Sequence, residues 1–283
     1  MIQKKIISTL FLLFIVFNSS NFYTQTFKEI RAKYENLDEN NNNALPFIKN
    51  YILKAKKEND LSCLVRGYLD GSFYNSNPAI KIKYADSAIV SAKLSQDNQL
   101  IGEAYATKGS LYYFYYKKYK LALNEYVNAF DYTKKTSDLF LNNMVMYHMG
   151  VVKSYLGYYQ EALENFRNCI AYFEPLSNDN NLHPNLIFNN KKGYYNSLHQ
   201  AIVCYRNLGD FKTADSLINV GLSKTADAKE FPLEHSYFLK CKGVIDFHNK
   251  SYQESIKLLN KALPEIKRNK DFAWESVSYF YLG

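Results

Sequence analysis

The sequence predicts an all-α fold, a right-handed α-solenoid of about five to six antiparallel helix hairpins. Three observations carry that prediction. A segment that starts with an aromatic residue recurs four times with the same order of side-chain sizes. Each copy follows a matching segment that, in three of four cases, has a glycine midway. The composition is 47% hydrophobic and 16% aromatic, with 26 Tyr and 19 Phe against 11 Gly and 6 Pro, so a core is available and helix breakers are few. Length alone would suit two ordinary domains, but self-similarity at a fixed period takes precedence over length.

The recurring segments are YKLALNEYVNAF at 119–130, YQEALENFRNCI at 159–170, FKTADSLINVGL at 211–222 and YQESIKLLNKAL at 252–263. Three positions after the aromatic comes a small residue (Ala122, Ala162, Ala214, Ser255), and four later a large one (Tyr126, Phe166, Ile218, Leu259). Another small residue follows after three more (Ala129, Cys169, Gly221, Ala262). Small, large, small at these intervals falls on one helical face, where a second helix approaches closely and the large side chain fills the space between. The preceding segments read as first helices, with Gly109, Gly150 and Gly243 midway and Ala201 beside Ile202 in the fourth. A mid-helix glycine costs about 1 kcal/mol against alanine, so its recurrence at one register implies a close helix crossing that recovers the cost. A more degenerate unit lies at 61–74 and 78–94, and 27–34 with 45–57 reads as an N-terminal hairpin.

These segments resemble the tetratricopeptide repeat, whose pattern places an aromatic or Leu, a small residue, and later Ala, an aromatic and Ala. Met146, Gly150, Ala162 and Phe166 match it in one unit, Leu239, Gly243, Leu259 and Ala262 in another, and the turn LGDF at 208–211 is similar to the family's loop. Ser255 and Ile202 depart from it. The small residues 122, 162, 214 and 255 are 40, 52 and 41 positions apart, longer than the family's usual repeat of about 34. An Asn-rich, Pro-bounded insertion at 175–190 accounts for the longest interval. The expected organisation is therefore a signal peptide or N-terminal anchor at 1–25, an N-terminal helical hairpin at 26–60, and a tetratricopeptide-like array at 61–283 with an incomplete last repeat. FAWESVSYFYLG at 272–283 reads as the first half of a further hairpin, which suggests a piece of a longer chain.

Export is read from Lys4 and Lys5, the apolar stretch 6–17 and the small polar residues Ser19, Ser20 and Asn21. That stretch is short for a membrane helix, which needs about 20 apolar residues, and cleavage between Ser20 and Gln25 is expected. The resulting location is exported, periplasmic or membrane-associated. Cys63, Cys169, Cys204 and Cys241 form no CxxC pair and read as buried small hydrophobes. The five histidines, His148, His183, His199, His235 and His248, lack metal-ligand spacing. No nucleophile elbow or phosphate loop occurs, so no catalytic residue, metal or cofactor is expected, and the chain reads as a non-enzyme. The net charge of +8 comes from 35 basic and 27 acidic residues interleaved along the helices, which is a solvated surface and not a nucleic-acid footprint.

In this architecture first helices line a concave groove. By register its inward positions include Arg66, Asp70, Glu103, Tyr113, Tyr147, His199, Arg206, Tyr237, Lys240 and Phe247, an aromatic and charged lining suited to a protein or extended peptide. The aromatic run at 112–116 reads mainly as packing between hairpins. Exported arrays of this kind resemble the N-terminal sensor parts of bacterial regulators with an AraC-type helix-turn-helix or a histidine kinase. The resemblance implies signal transduction or transcription regulation, with a membrane contact only through the N-terminal segment or a span beyond this sequence. The alternative reading is a structural envelope assembly scaffold with no ligand-sensing role.

Overall fold

The computed structural model describes residues 25–177, 189–227 and 229–283. The predicted export segment and most of the Asn-rich insertion lie outside the described residues. Among those described, regular structure is helical: α1 (Phe27–Arg31), a 3-10 turn (Asn42–Ala44), α2 (Leu45–Glu58), α3 (Leu61–Tyr74), α4 (Pro78–Ser95), α5 (Asn98–Phe114), α6 (Tyr119–Thr133), α7 (Leu139–Tyr155), α8 (Tyr159–Leu176), α9 (Asn190–Asn207), α10 (Phe211–Lys224), α11 (Pro232–His248), α12 (Tyr252–Arg268) and α13 (Phe272–Leu282).

Local chemistry sets the ends. The side chains of Asp60, Asn77, Asp97, Asp138, Asn189, Asp210 and Asp271 each accept a backbone N–H of the helix they precede, satisfying donors that have no partner inside the helix. Three first helices end on the same return bond: the amides of Tyr158, Asp210 and Ser251 donate to the carbonyls of Lys153, Tyr205 and Asp246 at 2.8–2.9 Å. That closure needs one left-handed residue, supplied by Gly157 (φ 83°), Gly209 (φ 84°) and Lys250 (φ 62°). Leu156–Gly157 and Leu208–Gly209 thus mark helix stops whose left-handed residue glycine adopts without strain.

Packing follows the small–large–small code. Tyr126, Phe166, Ile218 and Leu259 are fully buried, as are the small residues on either side of them. Gly150 of α7 faces Phe166 of α8, and a Cβ there would stand 2.9 Å from the ring. Gly243 of α11 stands in the same relation to Leu259 of α12. The glycines are where each first helix accepts the large residue of its own second helix.

Each helix packs on the next, and the first helices α3, α5, α7, α9, α11 and α13 also touch in series. Second helices make no comparable contact with one another among the described residues. Crowding on one side and splaying on the other bends a stack of hairpins, so the first-helix face is concave. Buried clusters run continuously along it, from Ile30, Tyr34 and Ile48 at the start to Leu239, Ala262 and Ile266 at the end. All four cysteines are free; three are buried and Cys63 is half-buried.

Candidate ligand groove

Polar groups occupy the first third of the concave face. Asp70 of α3 is buried, accepts the Tyr34 hydroxyl at 2.7 Å and lies 3.4 Å from Arg31 Nε. Burial raises the Asp70 carboxyl, and Arg31 and Tyr34 pull it back. Arg66, one turn earlier, reaches across to Glu103 of α5 at 3.4 Å. Gln99 bridges Glu103 and Asp138, donating to each at 3.3 Å. These charges are arranged in pairs.

The middle third is aromatic. Tyr113 of α5 meets Tyr155 of α7 edge-on at 5.6 Å, and Tyr155 stacks on Tyr119 at 5.0 Å. Tyr147 lies about two turns before Tyr155 on α7, its ring 5.9 Å from Phe166. Burial, then the neighbouring tyrosines, raises the Tyr113 hydroxyl, so it stays protonated.

The last third joins three first helices. His199 of α9 stacks on Tyr237 of α11 at 4.6 Å and 11° and meets Trp274 of α13 edge-on at 5.0 Å. Lys240 of α11 is fully buried, its Nζ 3.0 Å from His199 Nε2 and 3.4 Å from the centre of a Trp274 ring. Tyr237 donates to Asp271 Oδ2 at 2.5 Å. Burial lowers Lys240 to about 8. Burial, then the Lys240 and Arg206 charges, lowers His199 far below its usual value, so its ring is neutral and Nε2 accepts from the ammonium. The pair is a cation on an aromatic floor.

The ten sequence-predicted positions fall into these groups. Arg66, Asp70 and Glu103 share the polar third, Tyr113 and Tyr147 the aromatic third, and His199, Arg206, Tyr237 and Lys240 the last. Phe247 stands apart, exposed at the end of α11 against Tyr252 and Tyr281. Sequence reasoning missed Trp274 and Asp271, because α13 was read as an unfinished repeat and not as a groove wall. Arg31, Tyr34 and Gln99 also escaped it; the Asp cap preceding Gln99 was the available signal.

A separate shallow depression of about 370 Å³ lies at the α5–α6 turn, lined by Lys118, Tyr119, Lys120, Leu121 and Leu156. It is open and borders the Tyr119–Tyr155 stack. Among the described residues no group of three or more His, Cys, Asp or Glu is placed to hold a metal ion, and no helix is long and apolar enough to cross a membrane.

Comparison with known proteins agrees with this architecture. The family model described as anaphase-promoting complex subunit 5 matches residues 110–206, from α5 to α9. No curated protein matches the chain. Among solved structures, the TPR-like repeats of a putative kinesin light chain of Podosopora anserina superpose with a TM-score of 0.54 at 14% identity, covering 78% of this chain and 98% of that one. A second structure of those repeats gives 0.53 at 14% identity, covering 75% and 96%. A Rap protein complexed with Competence and Sporulation Factor gives 0.50 at 14% identity, covering 85% of this chain and 66% of that one. At such identities the likeness is one of fold: the chain is a tetratricopeptide-like solenoid.

Proposed function

We propose that the chain is a protein- or peptide-binding scaffold whose ligand lies along the concave face, and that it forms the extracytoplasmic sensor part of a signal-transduction or transcription-regulating protein. The observation that carries the binding role is the uninterrupted series of first helices from α3 to α13, lined in turn by paired charges, tyrosines and a lysine–aromatic cluster. An extended chain offers backbone amides and alternating side chains, which such a mixed lining grips through hydrogen bonds and aromatic contact. The Rap protein in the comparison was solved in complex with Competence and Sporulation Factor, which supports a stack of this fold holding a bound partner. The extracytoplasmic reading rests on the basic and apolar segment at 4–17. A non-enzymatic role fits the tetratricopeptide-like architecture.

The test is selection of peptides from a displayed random library on the purified chain, followed by calorimetry with Arg66→Ala and Tyr113→Ala. Each groove variant should weaken binding by about tenfold, while Val220→Ser on the outer surface of α10 leaves it unchanged. Equal binding by all variants would remove the groove from the reading. Secretion is checked separately, by locating the full-length product and sequencing its mature N-terminus.

A further inference from the structure

The four turns that join first to second helices between α5 and α12 carry exposed apolar side chains. Phe114 and Leu121 flank the α5–α6 turn, Tyr158 lies in the α7–α8 turn, Leu208 in the α9–α10 turn, and Phe247 and Tyr252 flank the α11–α12 turn, each between 37% and 54% exposed. Neighbouring turns adjoin: Tyr119 stacks on Tyr155 at 5.0 Å, Cys204 Sγ lies 3.9 Å from Ser154 Oγ, and the Phe211 and His248 rings are 5.1 Å apart. Together they form one edge of the array. On the opposite edge, where second helices return to first helices, the turns carry the capping aspartates Asp60, Asp97, Asp138 and Asp271, with Leu94, Leu139 and Phe272 exposed beside them.

Charge separates the two edges. Lys117, Lys118 and Lys120 are exposed on the α5–α6 turn, and none of them forms an ion pair among the described residues. The carboxylates of adjoining elements are engaged, Glu39 by Lys81 and Tyr115 and Glu125 by Lys108. Further along, Lys212 and Lys250 are exposed as well, while Asp210 caps α10 and Glu254 pairs with Lys257. Glu161, exposed in the first turn of α8, is the remaining acid of the four turns. Lys117 (φ 51°) and Lys250 (φ 62°) take the left-handed conformation that Gly157 and Gly209 supply in the other two turns, although a side chain is strained there. Lysine thus occupies the tip where glycine would fold more easily. Lys117 and Lys118 lie over the Tyr113 and Tyr116 rings at 5.8 and 5.7 Å, so their stems run along aromatic surface while the ammonium groups reach water.

From this we infer that the edge carrying the α5–α6 and α7–α8 turns docks on the surface of an anionic phospholipid bilayer, with Phe114 and Leu121 entering the boundary between headgroups and acyl chains and Lys117, Lys118 and Lys120 meeting lipid phosphates. Aromatic and aliphatic side chains interleaved with lysines are favoured at that boundary, because rings and apolar stems leave water while the ammonium groups stay among the headgroups. Nucleic acid would answer the lysines but would not bury Leu121 or Leu208. A folded protein partner covers one gathered apolar patch, whereas these side chains are strung along a row of turns. The aspartates of the opposite edge are repelled by the same surface, which orients the array on it. This contact is additional to the one expected through the N-terminal segment, and it does not rest on the groove reading.

The experiment uses the full chain with a tryptophan introduced at the edge by Phe114→Trp or, as the control, on the outer surface of α10 by Val220→Trp, mixed with vesicles of phosphatidylglycerol and brominated phosphatidylcholine. The N-terminal apolar segment is common to both, so quenching of the introduced fluorophore, after subtraction of the signal of Trp274, the chain's single tryptophan, reports the edge alone. Quenching is expected for Phe114→Trp and not for Val220→Trp, and only with phosphatidylglycerol present. Adding Lys117→Gln, Lys118→Gln and Lys120→Gln should raise the half-quenching lipid concentration about a hundredfold. Lys117→Gly, which relieves the turn, should raise it about fivefold while the denaturation midpoint goes up. No quenching in Phe114→Trp, equal quenching at both sites, or quenching unchanged by the lysine substitutions or by omitting phosphatidylglycerol overturns the inference. So does self-association without lipid, seen by sedimentation equilibrium and abolished by Leu121→Ser, which would assign the edge to a second copy of the chain. Circular dichroism of each variant establishes that it is folded.

Discussion

Lys240 donates to the neutral ring of His199 across the α9–α11 interface, at 3.0 Å, while Trp274 of α13 covers the ammonium from the other side. One charged side chain therefore ties three first helices together, with an imidazole instead of a carboxylate as its acceptor. Burying an ammonium without an ion pair costs more than packing an apolar chain of equal volume. Lys240→Met should accordingly fold with stability within about 1 kcal/mol of the wild type or above it, whereas Lys240→Ala, which leaves a cavity, should lose about 2–4 kcal/mol. Urea denaturation distinguishes the two; a large loss with methionine would mean that the charge itself holds the helices.

The same lysine gives a signature in base. Unfolded, it keeps its proton to about pH 10.4; folded, burial brings it to about 8. Between those values the unfolded state binds more protons, so stability rises with pH, by at most about 1.4 kcal/mol per unit. Subtracting the Lys240→Met profile isolates this rise from the tyrosines, whose hydroxyls burial pushes up and which act in the opposite direction above pH 10. A flat difference between pH 8 and 10 would show that the ammonium is not desolvated.

Acid acts through a different residue. His148 of α7 is stacked on Tyr126 at 5.7 Å, and burial lowers it to about 4. The unfolded histidine takes a proton near pH 6.5, so stability is lost as pH falls from about 6.5 towards 4, up to about 1.4 kcal/mol per unit. His148→Phe keeps the stacking and should flatten that part of the curve, measured as midpoint denaturant concentration against pH. His199, also held neutral by burial, leaves a residual slope.

At the α7–α8 crossing, Gly150→Ala should destabilise although alanine is the better helix former by about 1 kcal/mol. The added methyl would meet the Phe166 ring at 2.9 Å and Asn165 Cβ at 3.1 Å, and overpacking of this kind costs about 1–3 kcal/mol. Pairing it with Phe166→Leu in a double-mutant cycle should recover part of the loss. Simple additivity would show that the glycine is not there to admit the ring.

Near the start of the array, Lys81 of α4 is fully buried and donates to the Phe73 carbonyl at 2.8 Å and to Glu39 at 3.3 Å. Tyr115 at the end of α5 donates to the same Glu39 and to Asn40. Lys81→Met should cost about 1–2 kcal/mol and speed hydrogen exchange at the Asn40 amide, which bonds to Phe73 O. Unchanged exchange would mean that the loop is held without Lys81, by Tyr115 and the Asn42–Ser76 bonds.

The solenoid was legible because its code is written in side-chain volume. Ala162, Phe166 and Cys169 announce a close crossing, and the structure buries all three completely. The hairpin at 61–74 and 78–94 was read as a more degenerate unit, and the structure forms it with Asn77 capping and Pro78 opening α4. The groove was less so. Register identified Arg66, Arg206 and Lys240 as inward, but not that Arg66 is paired with Glu103, that Lys240 is sealed under Trp274, or that Arg206 is left without a partner. Those differences come from superhelical curvature, which brings side chains some 40 residues apart into contact and is written in no single repeat.

The first helices touch one another in series and the second helices do not, so the array has a stiff inner rim and a loose outer one. A partner that straightened the inner rim by a small angle per hairpin would accumulate a large displacement between residues near Phe27 and those near Leu282, so the stack can act as a lever whose gain is set by the number of hairpins between its two ends.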